Sequence, residues 1–209
     1  MIWLIITCSI DNKQGIKWGD RRRQEYYLGI ANCLHLLPKE IKPIIVENTK
    51  DGESYLDVFN CPILYTKNND YLVDGEYTLH KGYRELIDIK KVMEKFEIAD
   101  DDMIIKMTGR YLLFNNNFFQ EVINNPDKDA IFRQYNVMIY TKEEYDMVLG
   151  LYALRGKYMR RIEYNDYSKG AEQNYREQIN LYVPDDKILK VDKLFMRCII
   201  GETFKLVDC

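Results

Sequence analysis

A short apolar run in the middle of the chain lies between an acidic turn and a Thr-Gly-Arg sequence. Asp100–Asp102 precede Met103–Ile105, and the chain continues as Lys-Met-Thr-Gly-Arg-Tyr from residue 106 to residue 111. A brief apolar run bounded by Asp and Gly predicts a strand that is buried on both faces, as in a parallel sheet. Thr108, Gly109 and Arg110 would then follow the carboxyl end of a central strand, the edge at which open α/β sheets bind ligands.

The same segment has the chemistry of an anion site. The planar guanidinium of Arg110 can donate two parallel hydrogen bonds to a phosphate, and it stays charged at any ordinary pH. Lys106, on the strand itself, would add a second positive charge. The alternative is that Gly109 makes a bend and Arg110 is a solvated surface charge, and the segment by itself does not decide between the two.

The apolar periodicity predicts strands and helices in alternation along the chain. The first strand places Thr7 and Ser9 near its carboxyl end. The predicted strands are Ile2–Ile10, Lys42–Asn48, Pro62–Thr66, the central strand from Met103, Ala130–Tyr135, Val137–Tyr140, and a short one within Ile188–Ile200. The predicted helices are Arg21–Leu37, one opened by His80-Lys81-Gly82, Phe118–Ile123, Tyr145–Arg161 and Gly170–Asn180.

This order of elements predicts the α/β class. Strand, helix, strand, strand, helix, strand with short connections indicates a mainly parallel central sheet flanked by helices. The chain has 209 residues, of which 46% are hydrophobic, so it can bury a substantial core. Because it contains no internal repeat and no Pro/Ser-rich linker, residues 1–209 are predicted to be a single domain.

Composition excludes several classes of function. A net charge of −3 gives no basic field for nucleic acid or an anionic membrane. The apolar segment that begins at Met1 is too short to span a bilayer, so no membrane span is expected. Five cysteines without C-x-x-C spacing suggest thiols in a reducing compartment, and the protein is expected to be cytoplasmic. Two histidines argue against a His-rich metal site.

Three segments resemble a known family. His80-Lys81-Gly82 with Glu85, the segment IIKMTGRYLL around Arg110, and YTKEEYDMVLGLYALRGKYM resemble small nucleotide-sugar glycosyltransferases of the GT-A fold. Such compact domains are encoded by large DNA viruses and by bacterial polysaccharide clusters. The similarity runs from the first strand to about Asp192, and the K-x-T-G-R-Y block is its most specific part.

The resemblance implies a Rossmann-like GT-A sheet and an enzyme. It implies transfer of a hexosyl or deoxyhexosyl group from a UDP- or GDP-sugar to a hydroxyl of a glycan or glycoprotein. The protein would be cytoplasmic, and for a viral protein it would be in the host cytoplasm. The implied substrate-binding residues are Thr7, Ser9, Lys81, Gly82, Glu85, Lys106, Thr108, Gly109 and Tyr111, with Arg110 and Glu172 as the catalytic pair.

Each implied residue has an expected role. Thr7, Cys8 and Ser9 would border the nucleoside, and Lys81 and Gly82 would open a helix over the sugar phosphate. Glu85 would accept a hydrogen bond from a sugar hydroxyl, and Tyr111 would stack on a sugar ring. Glu172 is the predicted general base, although a Glu in the first turn of a helix is equally explained by the helix dipole. Asp146 and Glu144 are weaker candidates for the same role.

The expected metal requirement is weak. Many GT-A enzymes place Asp-x-Asp where this chain has Thr108, Gly109 and Arg110. Asp100–Asp102 precedes the strand, so it should lie at the opposite edge of the sheet as an acidic turn. Arg110 and Lys106 are therefore expected to stabilise the leaving diphosphate, with a role for Mn²⁺ or Mg²⁺ left open.

Two alternatives remain at this stage. A sugar-nucleotide nucleotidyltransferase shares the sheet, but it would carry a Gly-rich phosphate loop directly after the first strand, where this chain has only dispersed glycines. A catalytically inactive nucleotide-binding or scaffold module is the second. The basic triplet Arg21–Arg23 is either an anion site or a solvated first turn of a helix.

Overall fold

The residues described form two β-sheets and five α-helices. The computed structural model describes residues 1–11, 19–68, 81–136, 145–164, 169–199 and 206–209. The strands are β1 (Ile2–Cys8), β2 (Ile41–Glu47), β3 (Ile63–Tyr65), β4 (Met103–Thr108), β5 (Leu112–Leu113), β6 (Ala130–Asn136), β7 (Tyr145–Arg155), β8 (Ile188–Lys190), β9 (Met196–Ile199) and β10 (Leu206–Asp208). The helices are α1 (Gly19–Leu36), α2 (Lys81–Lys95), α3 (Asn117–Asn124), α4 (Gly156–Arg161) and α5 (Ala171–Tyr182).

The larger sheet is mixed but mainly parallel, as predicted. Its strand order is β3-β2-β1-β4-β7-β6-β8. The first four strands of that order run parallel to one another, β7 is antiparallel to both of its neighbours, and β8 is parallel to β6. Helix α1 connects β1 to β2, and α2 connects β3 to β4. These crossovers bring the carboxyl ends of the four parallel strands to one edge.

The predicted central strand is confirmed as β4. It lies between β1 and β7, and its residues from Met103 to Met107 are buried. Thr7 of β1 is paired in register with Thr108 of β4, so the two hydroxyl residues lie side by side at the carboxyl edge.

The sheet separates two hydrophobic clusters. One contains Ile6, side chains of α1 and α3, and residues of the smaller sheet, whose order is β10-β9-β5. The other contains Ile5 and side chains of α2, α4 and α5. Because neighbouring residues of a strand face opposite sides, each parallel strand contributes to both clusters. Both faces of the sheet are therefore covered, which explains the near-continuous apolar runs in β1 and β4.

The prediction of a helix over Tyr145–Arg161 is wrong. Most of that range is the strand β7, and only Gly156–Arg161 is helical. The pairing of β6 with β7 shifts register between Phe132 and Gln134, and this irregularity changes which face the β7 side chains occupy. A strand buried on both faces with such a shift has no period of two, so its apolar residues happened to match a helical spacing.

The other predicted elements lie within a few residues of the observed ones, which is the usual uncertainty of element ends. The segment Ile188–Ile200, predicted to hold one strand, contains both β8 and β9. The predicted strand Val137–Tyr140, His80 and Glu144 lie outside the described residues.

Candidate active site at the carboxyl edge of the sheet

A buried lysine lies beneath the carboxyl edge of β4. Lys106 is 1% exposed, and its Nζ lies 2.8 Å from Glu85 Oε1 of α2. The same ammonium donates to Thr108 Oγ1 at 2.9 Å and to the carbonyl oxygen of Leu149 at 2.8 Å. These three contacts match the three N–H donors of an ammonium. Direct contact of Lys106 with a diphosphate stays a prediction, and it would require the exchange of one of these partners.

Glu85 is held from two sides. Besides the ion pair with Lys106, its Oε1 accepts a hydrogen bond of 2.6 Å from Thr7 Oγ1. Thr7 is buried, whereas the Glu85 side chain is 24% exposed. The carboxylate thus extends from a buried polar cluster to the surface of the edge. Four residues predicted separately from the sequence meet here: Thr7, Glu85, Lys106 and Thr108.

The amino-terminal ends of α2 and α5 lie against each other. A Cβ placed on Gly82 would come within 2.3 Å of the Ala171 Cβ, so only a glycine allows this approach. The first amides of each helix have no partner within the helix and carry partial positive charge. Two such ends together make the edge favourable for negative charge. Lys81 begins α2, consistent with its predicted place in the chain.

Glu172, in the first turn of α5, is part of the same cluster. Burial raises the pKa of its carboxyl group, repulsion from Asp146 and Glu85 raises it further, and Lys106 opposes the shift. These interactions bring the predicted base within electrostatic reach of the Lys106–Glu85 pair. Asp146, the weaker candidate, lies on β7 beyond the last pairing of β4 and is 4.0 Å from the guanidinium of Arg176.

Arg110 lies directly after β4 at the same edge. Its guanidinium carbon is 5.7 Å from the centre of the Tyr111 ring, and within the described part of the chain no carboxylate pairs with it. Contact of a diphosphate with Arg110 would therefore displace no carboxylate partner among the described residues, and that contact stays a prediction. The Tyr111 ring itself packs on β7, where a Cβ added to Gly150 would lie 2.4 Å from it. Stacking of Tyr111 on a sugar stays a prediction.

Gly109 is required by packing. A Cβ at this position would come within 2.9 Å of Cys8 Sγ and 3.0 Å of an Ile6 methyl group. A Cβ on Gly29 of α1 would in turn lie 2.3 Å from the Gly109 carbonyl oxygen. Side chains of β1 thus account for Gly109, and the close approach of α1 to the Gly109 carbonyl accounts for Gly29. Together they fix the backbone immediately before Arg110. Cys8, predicted at the nucleoside, is buried in this contact.

A second polar network was not predicted from the sequence. Asp88 of α2 is 1% exposed, and its carboxylate accepts hydrogen bonds from Asn48 at 2.8 Å and from Thr66 and Asn68 at 2.6 Å each. Burial raises the pKa of Asp88 to about 6. Ser9 donates to Asn48, which joins the network to the end of β1. The polar residues that directly follow β2 and β3 were the available signal.

Other charged residues have structural partners. Asp102 accepts a hydrogen bond of 2.9 Å from Trp3 Nε1, which places the acidic turn at the amino edge of the sheet, as expected. Arg155 pairs with Asp129 at 2.9 Å. In the basic triplet, Arg22 donates to the Ser9 carbonyl oxygen, while its two neighbours pair with Glu25 and Asp11.

Metal ligands are not grouped in the described segments. There, no set of three or more His, Cys, Asp or Glu side chains is placed to hold a metal ion. Glu85, one of the carboxylates at this edge, is already bound by Lys106 and Thr7. The residues described do not form a resident divalent-cation site.

Several solved structures have a fold similar to that of this chain. The chain is similar to CMP:2-keto-3-deoxy-manno-octonic acid synthetase complexed with CTP, with a TM-score of 0.57, 13% identity, and coverage of 91% of this chain and 89% of that one. It is also similar to 4-diphosphocytidyl-2C-methyl-D-erythritol synthase from Anaerococcus prevotii, with a TM-score of 0.55, 15% identity, and coverage of 91% and 86%.

A glycosyltransferase has the same architecture. The galactosyltransferase LgtC, in complex with donor and acceptor sugar analogues, gives a TM-score of 0.52 at 11% identity, with coverage of 91% of this chain and 73% of that one. The fold is of the GT-A type. At these identities the likeness establishes the GT-A fold alone, and the neighbours include both nucleotidyltransferases and a glycosyltransferase.

Two further comparisons complete the picture. No family model and no curated protein sequence matches the chain.

Among the helices of the described residues, none has both the length and the apolar character needed to cross a bilayer.

Proposed function

We propose that the protein is a glycosyltransferase that moves a sugar from a UDP- or GDP-sugar to a hydroxyl of a glycan or glycoprotein. The observation that carries the proposal is the placement of Glu172. A desolvated carboxylate lies at the ligand-binding edge of a GT-A sheet, at the meeting point of two helix amino ends and within reach of the Lys106–Glu85 pair. This arrangement combines a proton acceptor with positive potential for a phosphate.

Glu172 acts as the general base of an inverting transfer. Its carboxylate takes the proton of the acceptor hydroxyl while that oxygen forms a bond to the anomeric carbon. The bond between the anomeric carbon and the diphosphate oxygen breaks, and the nucleoside diphosphate leaves with the electron pair. A raised pKa suits this role because a general base works best when its pKa approaches the working pH.

Arg110 and the helix amino ends stabilise the leaving group. Negative charge grows on the diphosphate as the sugar leaves, so a fixed cation and oriented amides lower the barrier most at that moment. Arg110 meets this need since, among the residues described, no carboxylate neutralises it. Lys106 contributes indirectly by fixing Glu85 and Thr108. The reaction is therefore expected to depend weakly or not at all on a divalent cation.

A nucleotidyltransferase is the second candidate. Two of the structural neighbours named above are enzymes of that class, and they align over most of their length. Such an enzyme would join a nucleoside triphosphate to a sugar phosphate and release pyrophosphate. The first strand of this chain is followed only by dispersed glycines, without the Gly-rich phosphate loop of that class.

A ligand and product panel tests the proposal. Thermal shifts are measured with UDP, GDP, dTDP and CMP, each with Mn²⁺ and with EDTA, because a ligand of the native state raises the melting temperature. Product assays then follow release of nucleoside diphosphate from a nucleotide sugar, and release of pyrophosphate from a triphosphate with a sugar phosphate. The proposal expects a shift with one diphosphate in EDTA and release of that diphosphate. Pyrophosphate release would identify the second candidate instead.

Glu172→Gln separates chemistry from binding. The variant keeps the shape of the side chain but cannot accept a proton, so kcat should fall by about 10²–10⁴-fold while the diphosphate thermal shift remains. Glu177→Gln, on the same helix, is the matched control and should retain kcat. Unchanged kcat in Glu172→Gln would reject this base. Diphosphate binding with no product from any donor would favour the inactive module.

A further inference from the structure

Two cysteines of the smaller sheet lie close together. Cys198 is on β9, and Cys209 directly follows β10. Their sulfur atoms are 3.5 Å apart. Cys209 and Met196 exchange both backbone hydrogen bonds, at 2.8 and 3.2 Å, so Cys209 continues the antiparallel pairing of the two strands.

The register puts both thiols on one face of the sheet. Cys198 is two residues from Met196 on the same strand, so their side chains share a face. Cys209 stands directly opposite Met196 and shares that face, which makes the two cysteines diagonal neighbours. A disulfide has an S–S length of about 2.05 Å, so the sulfur atoms need to approach by roughly 1.5 Å.

The two thiols differ in exposure and in the direction of their pKa shifts. Cys198 is 8% exposed, whereas Cys209 is partly exposed. The two sulfur atoms share a hydrogen bond, and this contact together with the nearby Arg133 lowers the pKa of Cys209. The same bond raises the pKa of Cys198. Because Cys209 is the more exposed of the two, a reagent reaches it first, and Cys198 is then positioned to attack the Cys209 sulfur of the mixed disulfide.

We propose that Cys198 and Cys209 form a reversible disulfide by exchange with a small-molecule disulfide such as oxidised glutathione. The Cys209 thiolate attacks one sulfur of the reagent, forms a mixed disulfide and releases one thiolate. Cys198 then loses its proton and attacks Cys209 Sγ, forming the internal bond and releasing the second thiolate. Two protein thiols are oxidised while one reagent disulfide is reduced to two thiols.

The disulfide would act on the strand that supports Arg110. β5 begins two residues after Arg110 and pairs with β9, joining Leu112 to Arg197 and Leu113 to Met196. Oxidation ties β9 to the end of β10, so the same sheet that anchors the Arg110 segment gains a covalent link. The inference rests on the geometry of the cysteines and does not depend on the proposed transferase activity.

The remaining cysteines provide controls. Cys8 and Cys33 are buried in the hydrophobic core. Cys61 is partly exposed like Cys209, but burial raises its pKa to about 11. Cys61→Ser is therefore a matched variant that removes a partly exposed thiol without touching the pair.

Peptide mapping of the folded protein tests the proposal. The reduced chain is incubated over a series of glutathione ratios, quenched with acid, alkylated and digested with trypsin. Cleavage after Arg197 and Lys205 separates the two cysteines, so a disulfide joins the peptides 198–205 and 206–209. Wild type and Cys61→Ser should both yield this linked pair and lose two thiols. Cys198→Ser should accumulate the glutathione adduct on Cys209.

The contrary results are equally definite. The proposal fails if the linked pair forms only after unfolding in denaturant, or if Cys61 takes up glutathione before Cys209 does. It also fails if Cys198→Ser leaves Cys209 unmodified. The mapping of wild type decides the question even where a serine variant folds poorly. A non-reducing gel distinguishes the internal bond from a link between two chains.

Discussion

At the scale of single residues, Glu172 and Glu177 show how one helix can hold carboxylates with opposite effects on stability. Burial, with repulsion from Asp146 and Glu85, raises the pKa of Glu172. A hydrogen bond from Lys169 lowers the pKa of Glu177. The folded state therefore favours protonation of the first carboxyl group and ionisation of the second.

These shifts give opposite pH dependences. The contribution of Glu172 to stability is fully present below its unfolded pKa, near 4.5, and is lost as pH rises through its raised folded value. Glu172→Gln should therefore raise the melting temperature more at about pH 7 than at about pH 4. The contribution of Glu177 is present above its unfolded pKa and is lost on acidification. Glu177→Gln should lower the melting temperature near neutral pH, modestly because that side chain is 41% exposed.

Circular dichroism melts of both variants and wild type across this pH range provide the measurement. A gain from Glu172→Gln that is the same at both pH values would mean that the carboxyl group is not desolvated. A gain from both variants near neutral pH would point to net charge instead of local environment as the cause.

The sequence predicted which edge of the sheet several candidate residues share, but not the contacts between them. The Thr-Gly-Arg sequence after an apolar run marked the carboxyl edge, and Lys106 was identified as a cation near it. The sequence could not show that Glu85, which lies 21 residues before Lys106 on α2, would form an ion pair with that lysine. Gly109 was expected among the substrate-binding residues, whereas a Cβ at this position would meet the side chains of Cys8 and Ile6 on β1. Such pairings depend on helix placement, which local patterns do not encode.

At the scale of elements, the contact of α2 with α5 brings the amino ends of two helices together at the candidate site. A Cβ at Gly82 would lie 2.3 Å from the Ala171 Cβ, well inside the usual carbon contact of about 3.5–4.0 Å. Gly82→Ala must therefore push the two helix amino ends apart. We expect a loss of about 1–3 kcal/mol in the free energy of unfolding. The shift of Glu85 and Glu172 should also lower kcat/KM by roughly 10–100-fold.

Gly19→Ala is the matched control for that variant. Gly19 begins α1, and a Cβ there meets nothing within 4 Å. This change should stabilise the protein by about 0.4–1 kcal/mol because it restricts the unfolded chain. Urea unfolding and the transfer assay compare the two. Equal effects from both alanines would show that the helix contact has no special role.

Elements with a single apolar periodicity were predictable from the sequence, and elements without one were not. β1, β4 and α2 have simple apolar patterns, and each begins within a residue of its predicted start. β7 lies between two strands, is buried on both faces and carries a register shift, so no single period describes it. Its correct assignment requires its neighbours, which only the assembled sheet provides.

At the scale of the whole molecule, the larger sheet lies between the two hydrophobic clusters and contributes side chains to both. Ile5 and Ile6 are adjacent on β1, both are 0% exposed, and they belong to opposite clusters. We propose that both clusters unfold together as the single domain predicted from the sequence. Ile5→Ala and Ile6→Ala should each cost about 2–5 kcal/mol and move the midpoint of the same transition.

Urea unfolding followed by far-UV circular dichroism and by tryptophan fluorescence checks this expectation. The two signals should change together in wild type and in both variants. Two separate transitions, each sensitive to only one of the variants, would instead divide the chain into independently folding units.

The ion pair between Lys106 and Glu85 also has an evolutionary consequence. Loss of either partner alone would leave the other charge in a largely buried place without compensation, which is far more costly than the loss of both. A substitution at one of these two positions should therefore be tolerated only together with a substitution at the other. Among descendants of a common ancestor, both residues should be kept or both replaced. A lineage that has exchanged the lysine for an apolar residue should carry a neutral partner on its second helix.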